Sequence, residues 1–296
     1  MICGWQVQSE ILLEGIRALP EVSAPDFVLE LGALAPQSGT GTAFGPVLER
    51  LPDGSLLFDP PEIARALIFG NRVIVEARAD ATPGELQAFV LGPILVLLGH
   101  VREYLPLHAS CVELPRGAAA FSGPARAGKS SLAAGLAQRG HALVAEDVCM
   151  VAPGPMQPLV FASTSLVKLT RRSERQLKPE EAQVRIGHKR FFSMPPRDGA
   201  QSAPLDALYF LEHNGSKDAP CIRPIPANQV LAQVHGAILM PAAAIALRGD
   251  AALFAAAAKL AAAVRVARLV WPFDLARIDQ TLDLIEGACE TGSGAV

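Results

Sequence analysis

The chain has 296 residues, of which 26 are Lys or Arg and 29 are Asp or Glu; its net charge is −3 and half of its residues are apolar. That composition allows one large or two smaller domains with a sizeable core. It offers no basic surplus for nucleic acid and no like-charge run for an interaction tail. The five cysteines (Cys3, Cys111, Cys149, Cys221, Cys289) are widely spread and lack metal or C-x-x-C spacing, which predicts reduced thiols in a cytoplasmic protein. No basic-then-apolar leader opens the sequence. The most apolar stretch, 88–98, is too short for a bilayer and contains Gly92 and Pro93, so no membrane partner is expected.

Residues 1 to about 80 read as a β-rich lobe, with strands at 5–9, 27–31, 55–58 and 72–77 separated by Pro, Gly and Asp. Residues 36–45 form a polar Gly/Thr-rich loop. Thr82-Pro83-Gly84-Glu85 then announces a helix, with Thr as N-cap, Pro in the first turn and Glu placed for a capping box; it runs to about Tyr104. A strand follows at 106–113 and a second, short and buried, at 117–122. Residues 131–139 read as a helix with Leu132 and Leu136 on one face and Gly140 just past its end. Strand 142–145 ends at Glu146-Asp147, and 148–152 continues it across a bend. Segment 170–198 is charged and expected to be mobile. Strand character returns at 207–211 and 266–271, helical character at 227–239, 251–264 and 274–289, and the tail from Thr291 is expected to fray.

Gly123-Pro124-Ala125-Arg126-Ala127-Gly128-Lys129-Ser130, followed by Ser131, fits the phosphate-binding pattern G-x-x-x-x-G-K-S/T. The spacing has a mechanism. Glycines let the backbone curl so that N–H groups point inward at phosphate oxygens, the lysine reaches the β and γ phosphates, and the last hydroxyl takes Mg2+. A helix beginning there adds its positive end. Average residue frequencies give a chance match in a chain this long about one time in a hundred, and strand, loop and helix agree around it.

Phosphoryl transfer also needs carboxylates. Glu146 and Asp147, at a strand end after the loop helix, are the candidates: one to hold Mg2+, the other to accept a hydroxyl proton. His108 could tune a carboxylate of that pair or be a satisfied core histidine. Lys189 and Arg190 could clamp phosphate or substrate or lie on a solvated face.

Leu107-His108-Ala109-Ser110-Cys111-Val112, Phe121-Ser122-Gly123-Pro124 with Gly128-Lys129-Ser130-Ser131-Leu132, and the run from Arg139 through Glu146-Asp147 together resemble the HPr serine kinase family. Within it, the likeness is to the compact HPr-kinase-related group that includes lasso peptide kinases. It is strongest over 97–151, weaker through His188-Lys189-Arg190 and 205–212, and extends to Leu19-Pro20 and Pro25-Asp26 in the front lobe. The resemblance implies an α/β fold with the P-loop kinase core of the HPr kinase and phosphoenolpyruvate carboxykinase type. The core would span 105–296, with a smaller N-terminal lobe and connecting helix at 1–104. It further implies an ATP- and Mg2+-dependent kinase of a serine hydroxyl, with His108, Lys129, Glu146 and Asp147 as its catalytic group. In the family the acids are usually Asp-Asp and the first is the base, which assigns Glu146 as base and Ser130 with Asp147 to the metal. Three departures stand out: Arg126 replaces a frequent Gly, 183–187 only faintly echoes the signature of the bifunctional kinase/phosphorylases, and the front lobe is shorter than the N-terminal domain of those enzymes. The leading expectation is a kinase of a ribosomally made, lasso-type precursor peptide. A kinase of HPr or another small protein, and a nucleotide-binding regulator without catalysis, are the alternatives; homo-oligomerisation is left open.

Overall fold

Strand alternation sorts the apolar residues onto the two faces of a central sheet and one face of a second. The structure, a computed structural model, describes residues 1–16, 24–35, 39–154, 156–179, 183–186, 189–194, 201–213, 218–272 and 274–291. Its architecture is mixed α/β.

The front sheet contains β1 (Val7–Ser9), β2 (Phe27–Leu31), β3 (Thr42–Ala43), β4 (Leu48–Arg50), β5 (Leu56–Phe58), β6 (Ala64–Phe69) and β7 (Arg72–Ala77), in the order β1-β2-β7-β6-β5-β4-β3. β3, β4 and β6 are additions to the four expected strands. β6 alternates buried and half-buried residues along its length, but its Ala64 and Ala66 carry little strand propensity. Residues 17–23 and 36–38, including Leu19-Pro20 and the start of the expected loop, lie outside the described residues.

The helix begins as expected. Thr82 accepts from the Glu85 N–H, and the Glu85 carboxylate takes the Thr82 N–H in return. α1 (Pro83–Phe89) passes through one π-helical turn, Val90–Ile94, into α2 (Leu95–Val101). The turn is explained by Pro93, which lacks an N–H, and Gly92, whose ψ of −105° is not helical. The chain leaves the helix at Arg102 and Glu103, the latter left-handed at φ 61°. The continuous rod Pro83–Val101 has 19 residues, long and apolar enough to cross a membrane, unlike the shorter stretch read from sequence; 56% of its most apolar window is buried in the protein, as in a core helix.

The second part begins with β8 (Leu105–Leu107), β9 (Ala109–Leu114), β10 (Gly117–Ser122), α3 (Lys129–Gln138), β11 (Ala142–Ala145) and β12 (Cys149–Ala152). It continues through β13 (Leu159–Phe161), β14 (Leu166–Lys168), α4 (Arg171–Leu177), β15 (Gln183–Ile186), β16 (Lys189–Ser193) and β17 (Ser202–His213). It ends with β18 (Cys221–Pro224), α5 (Ala227–Gly236), α6 (Pro241–Arg248), α7 (Asp250–Ala263), β19 (Arg265–Trp271), a 3-10 turn at Leu275–Arg277 and α8 (Ile278–Thr291). β11, β9, β10, β17, β19 and β18 lie side by side. The first residues of β17 pair with β13, which leads on to β12 and β8.

Two expectations change here. The single strand over 106–113 is two strands: β8 pairs with β12, β9 pairs with β10 and β11, and the chain switches partners at His108, whose N–H goes to the Ala237 carbonyl. The segment 170–198 contains α4, β15 and β16, with β14, β16 and β15 forming a small antiparallel sheet; its charge density hid the strands, although β15 and β16 pair as neighbours in sequence. Residues 180–182, 187–188 and 195–200 lie outside the described residues, as do 292–296 of the tail.

Alternation then builds the core. Val112, Ala119, Phe121, Tyr209 and Leu211 point to one face of the central sheet, under α3 and α8. Cys111, Ala118, Ala120, Leu208 and Phe210 point to the other, under α5 and α7. A strand covered on both faces reads as a continuous apolar run, as 117–122 does. The third cluster joins the front sheet to the α1–α2 rod and takes in Val148, Met150 and Ala243, so packing crosses the 104/105 division.

Candidate functional site

The turn between β10 and α3 is built by its glycines. Gly123 (φ 151°) and Gly128 (φ 101°) take conformations that side chains rarely adopt, and Arg126 joins them at φ 66°. A Cβ on Gly123 would lie 3.3 Å from both Ala127 and Leu211. Gly128 is the N-cap of α3 and supplies no side chain to the first helical N–H groups, which leaves them for an anion. Arg126 stands exposed in the middle of the turn, at a left-handed position where a glycine would carry no strain. The Ala127 carbonyl is gripped from behind by the Trp271 indole N–H at 3.2 Å and by His213 Nε2 at 3.1 Å. Neither residue was marked by any sequence motif.

Lys129 is buried, and its ammonium folds back onto its own turn, donating to the carbonyls of Gly123 (2.9 Å) and Pro124 (3.2 Å). Burial pulls its pKa below the usual lysine range, while the Asp147 and Glu146 carboxylates oppose that shift. Ser130 donates to Glu146 Oε1 at 2.6 Å. Ser110, two residues beyond His108, donates to Oε2 of the same carboxylate at 2.6 Å. Ser131 turns the other way and meets the Ser173 hydroxyl at 2.8 Å.

The acidic pair sits on a tight bend between β11 and β12. The Val148 N–H reaches the Glu146 carbonyl at 2.7 Å, enclosing Asp147 at φ 59°. A three-residue turn centred on a left-handed residue other than Gly is strained, and such strain gathers at functional sites. The bend gives the neighbours different surroundings: Glu146 is buried and Asp147 half-buried. Burial, with the Asp147 charge beside it, pushes the Glu146 carboxyl up to about 7, although the Ser110 and Ser130 hydroxyls favour its ionised form. His108 is half-buried, with Nδ1 3.3 Å from the main-chain oxygen of Asp147, so its partner is the backbone of the acidic pair. That contact puts the proton on Nδ1 and leaves Nε2 to accept. Burial and the Lys129 charge lower the His108 pKa against the pull of Asp147, so the ring is neutral near pH 7.

The structure therefore brings together Gly123 to Ser130, His108, Glu146 and Asp147. Arg190 ion-pairs with Glu174 of α4 at 2.8 Å. Lys189 lies on β16, but its side chain, like the whole of His188, falls outside the described residues. Ser110 and Lys168 belong to the site without having been singled out: the Lys168 N–H also faces the Glu146 carboxylate. Neither carried a local signal: Ser110 lies on β9, past the break at His108, and Lys168 ends a three-residue strand.

The residues fit a magnesium nucleotide. Uncapped N–H groups, an ammonium held at the turn by the Gly123 and Pro124 carbonyls and a glycine cradle suit a polyphosphate. A hydroxyl and a carboxylate oxygen 2.6 Å apart are the hard oxygen donors that Mg2+ takes. Among the described residues no group of three His, Cys, Asp or Glu is arranged to hold a metal, so most of the ion's ligands would be phosphate oxygens and water.

No protein-family model matches the chain. No curated protein matches it. Among solved structures it is similar to the Hpr(Ser) kinase/phosphatase from Coxiella burnetii, at 13% identity and a TM-score of 0.35, over 64% of this chain and 99% of that one. A superposition at that level assigns neither fold nor activity.

Proposed function

We propose that the protein is an ATP-dependent kinase that transfers the γ-phosphoryl group to a serine hydroxyl. The observation that carries this reading is the 2.6 Å hydrogen bond from Ser130 to Glu146, which joins the end of the phosphate turn to an acid one strand away. The acceptor we favour is a ribosomally made precursor peptide of the lasso type, in the cytoplasm; the resemblance of the 97–151 segment to compact HPr-kinase-related enzymes supports that choice.

In the proposed reaction the serine oxygen attacks the γ-phosphorus in line. Its new bond forms as the bond to the β,γ-bridging oxygen breaks, ADP leaves, and the hydroxyl proton passes to a carboxylate. Lys129 exchanges its two carbonyl partners for phosphate oxygens, and the first N–H groups of α3 hold the developing charge. Mg2+, which Ser130 and Glu146 would hold, would supply further charge neutralisation.

The surroundings favour a division of the acids opposite to the family assignment. Both oxygens of Glu146 are occupied by hydroxyls, one of them the metal-binding Ser130, which suits Glu146 to the metal side. Asp147, half-buried beside Lys129 and braced through its carbonyl by His108, is free to take the proton.

The test is transfer of label from γ-labelled ATP with Mg2+ to a precursor peptide, using the full chain. Asp147→Asn is expected to lose roughly 10²–10⁴-fold in transfer rate while still binding nucleotide, and Lys129→Ala to lose nucleotide binding. Full transfer by Asp147→Asn would return the base to Glu146. Unchanged ATP affinity in Lys129→Ala would remove the turn from the mechanism. Labelling of HPr but not of the peptide would replace the acceptor.

A further inference from the structure

We propose that Lys168 is a second phosphate-binding cation of this site, contacting the terminal phosphate of a bound nucleoside triphosphate. The inference rests on the triphosphate reading above and extends it to a residue outside the phosphate-binding motif.

Lys168 is the last residue of β14. The two residues before it, Leu166 and Val167, are buried, and Val167 packs in the core beneath α3. At Lys168 the strand reaches the site: its N–H faces the carboxylate that also receives Ser130 and Ser110. Just beyond, Thr170 caps α4 and meets the Ser173 hydroxyl at 3.0 Å, and that hydroxyl meets Ser131 at 2.8 Å. Segment 168–173 is thus fastened to the first turn of α3, where a phosphate would sit. Its position in the fold is fixed by hydrogen bonds at both ends.

The charge balance gives the side chain a task. Among the described residues Lys168 makes no ion pair, although it is only half exposed. A partly desolvated ammonium without a counter-charge is unfavourable, and an arriving phosphate would relieve it. Lys168 leaves β14 beside Val167, which packs beneath α3, and the Ser173–Ser131 hydrogen bond holds the following turn against the first turn of that helix, so its ammonium is within reach of an anion bound there. Lys129 alone would face a triphosphate tail and two carboxylates; a second cation at the γ position stabilises the charge that builds during transfer. As an ordinary solvated lysine, Lys168 would leave nucleotide binding unaffected.

The discriminating property is the third phosphate. Binding of Mg2+ with a non-hydrolysable ATP analogue, and separately of Mg2+ with ADP, is measured by calorimetry on the full chain. Lys168→Met is expected to weaken the ATP analogue roughly tenfold, the scale of one charge-assisted contact, and to leave ADP within about twofold. Lys168→Arg is expected to restore most of the difference. Equal loss for both nucleotides in both variants would show a structural role and overturn the proposal, as would no loss in either. If Lys168→Met does not fold, Lys168→Arg and Lys168→Gln are compared by the same ratio, with Gln expected to lose the selectivity that Arg keeps; equal ratios overturn the proposal. The parent reading fails separately: in that case the wild-type chain ignores the ATP analogue, or Lys129→Ala binds it as tightly as wild type does.

Discussion

Glu146 and Asp147 are neighbours in sequence with different physical lives. The bend at Asp147 buries one carboxylate and half exposes the other, and two adjacent acids in unlike surroundings can divide a metal-side role from a proton-accepting one. The raised Glu146 pKa has a consequence for stability. An unfolded glutamate titrates near 4.5 and the folded one at about 7, so between those values the native chain holds the proton more tightly. The resulting stabilisation is fully present below about 4.5 and is lost as pH rises through about 7. Thermal melts of the nucleotide-free protein from pH 5 to 8 are expected to fall for wild type relative to Glu146→Gln, whose neutral amide removes the titration. Parallel curves would show that this carboxylate is ionised throughout. Arg126 is the other residue that the local conformation singles out, since at φ 66° a side chain is tolerated rather than preferred.

At the scale of elements, local signals that satisfy backbone groups were the ones that held. The Thr82–Glu85 capping box is present with both of its reciprocal hydrogen bonds. Gly140 (φ 94°) follows α3 with its N–H on Ala137, and the next N–H, of His141, reaches Leu136, as a left-handed helix exit requires. Thr82→Ala is expected to lower unfolding free energy by about 1 kcal/mol, read as a shift in the urea midpoint with unchanged slope; no shift would mean that packing of the rod alone sets its start. Signals that depend on distant partners were silent. β13, β14 and β18 are three or four residues long, too short for a period to show. The break at His108 has no turn residue to mark it, because both halves are extended and buried, against different neighbours.

For the whole molecule, the central sheet carries the site on its strand ends and hides two cores behind it. The glycine turn before α3 is braced from the last strand and from β17 through Trp271 and His213, and α3 is tied to α8 by Arg139, which binds Asp279, Asp283 and Glu286 at 2.6–2.7 Å. Two of those acids are mostly exposed, at 76% and 70%, so the cluster is screened by water. Arg139→Met is expected to cost only about 1 kcal/mol at low salt, and less at 1 M NaCl; a larger, salt-independent loss would point to packing of the arginine stem instead. The sequence by itself determined the glycine turn before α3, the helix behind it, the capped rod and the place of the acidic pair at a strand end, because each is a contiguous pattern whose geometry follows from local backbone chemistry. Only the tertiary structure decided which acid lies buried, that Ser110 and Lys168 face it, and that His108 holds a main-chain oxygen. Those relations join residues on strands far apart in the chain, and burial and charge act through space, where no spacing rule reaches.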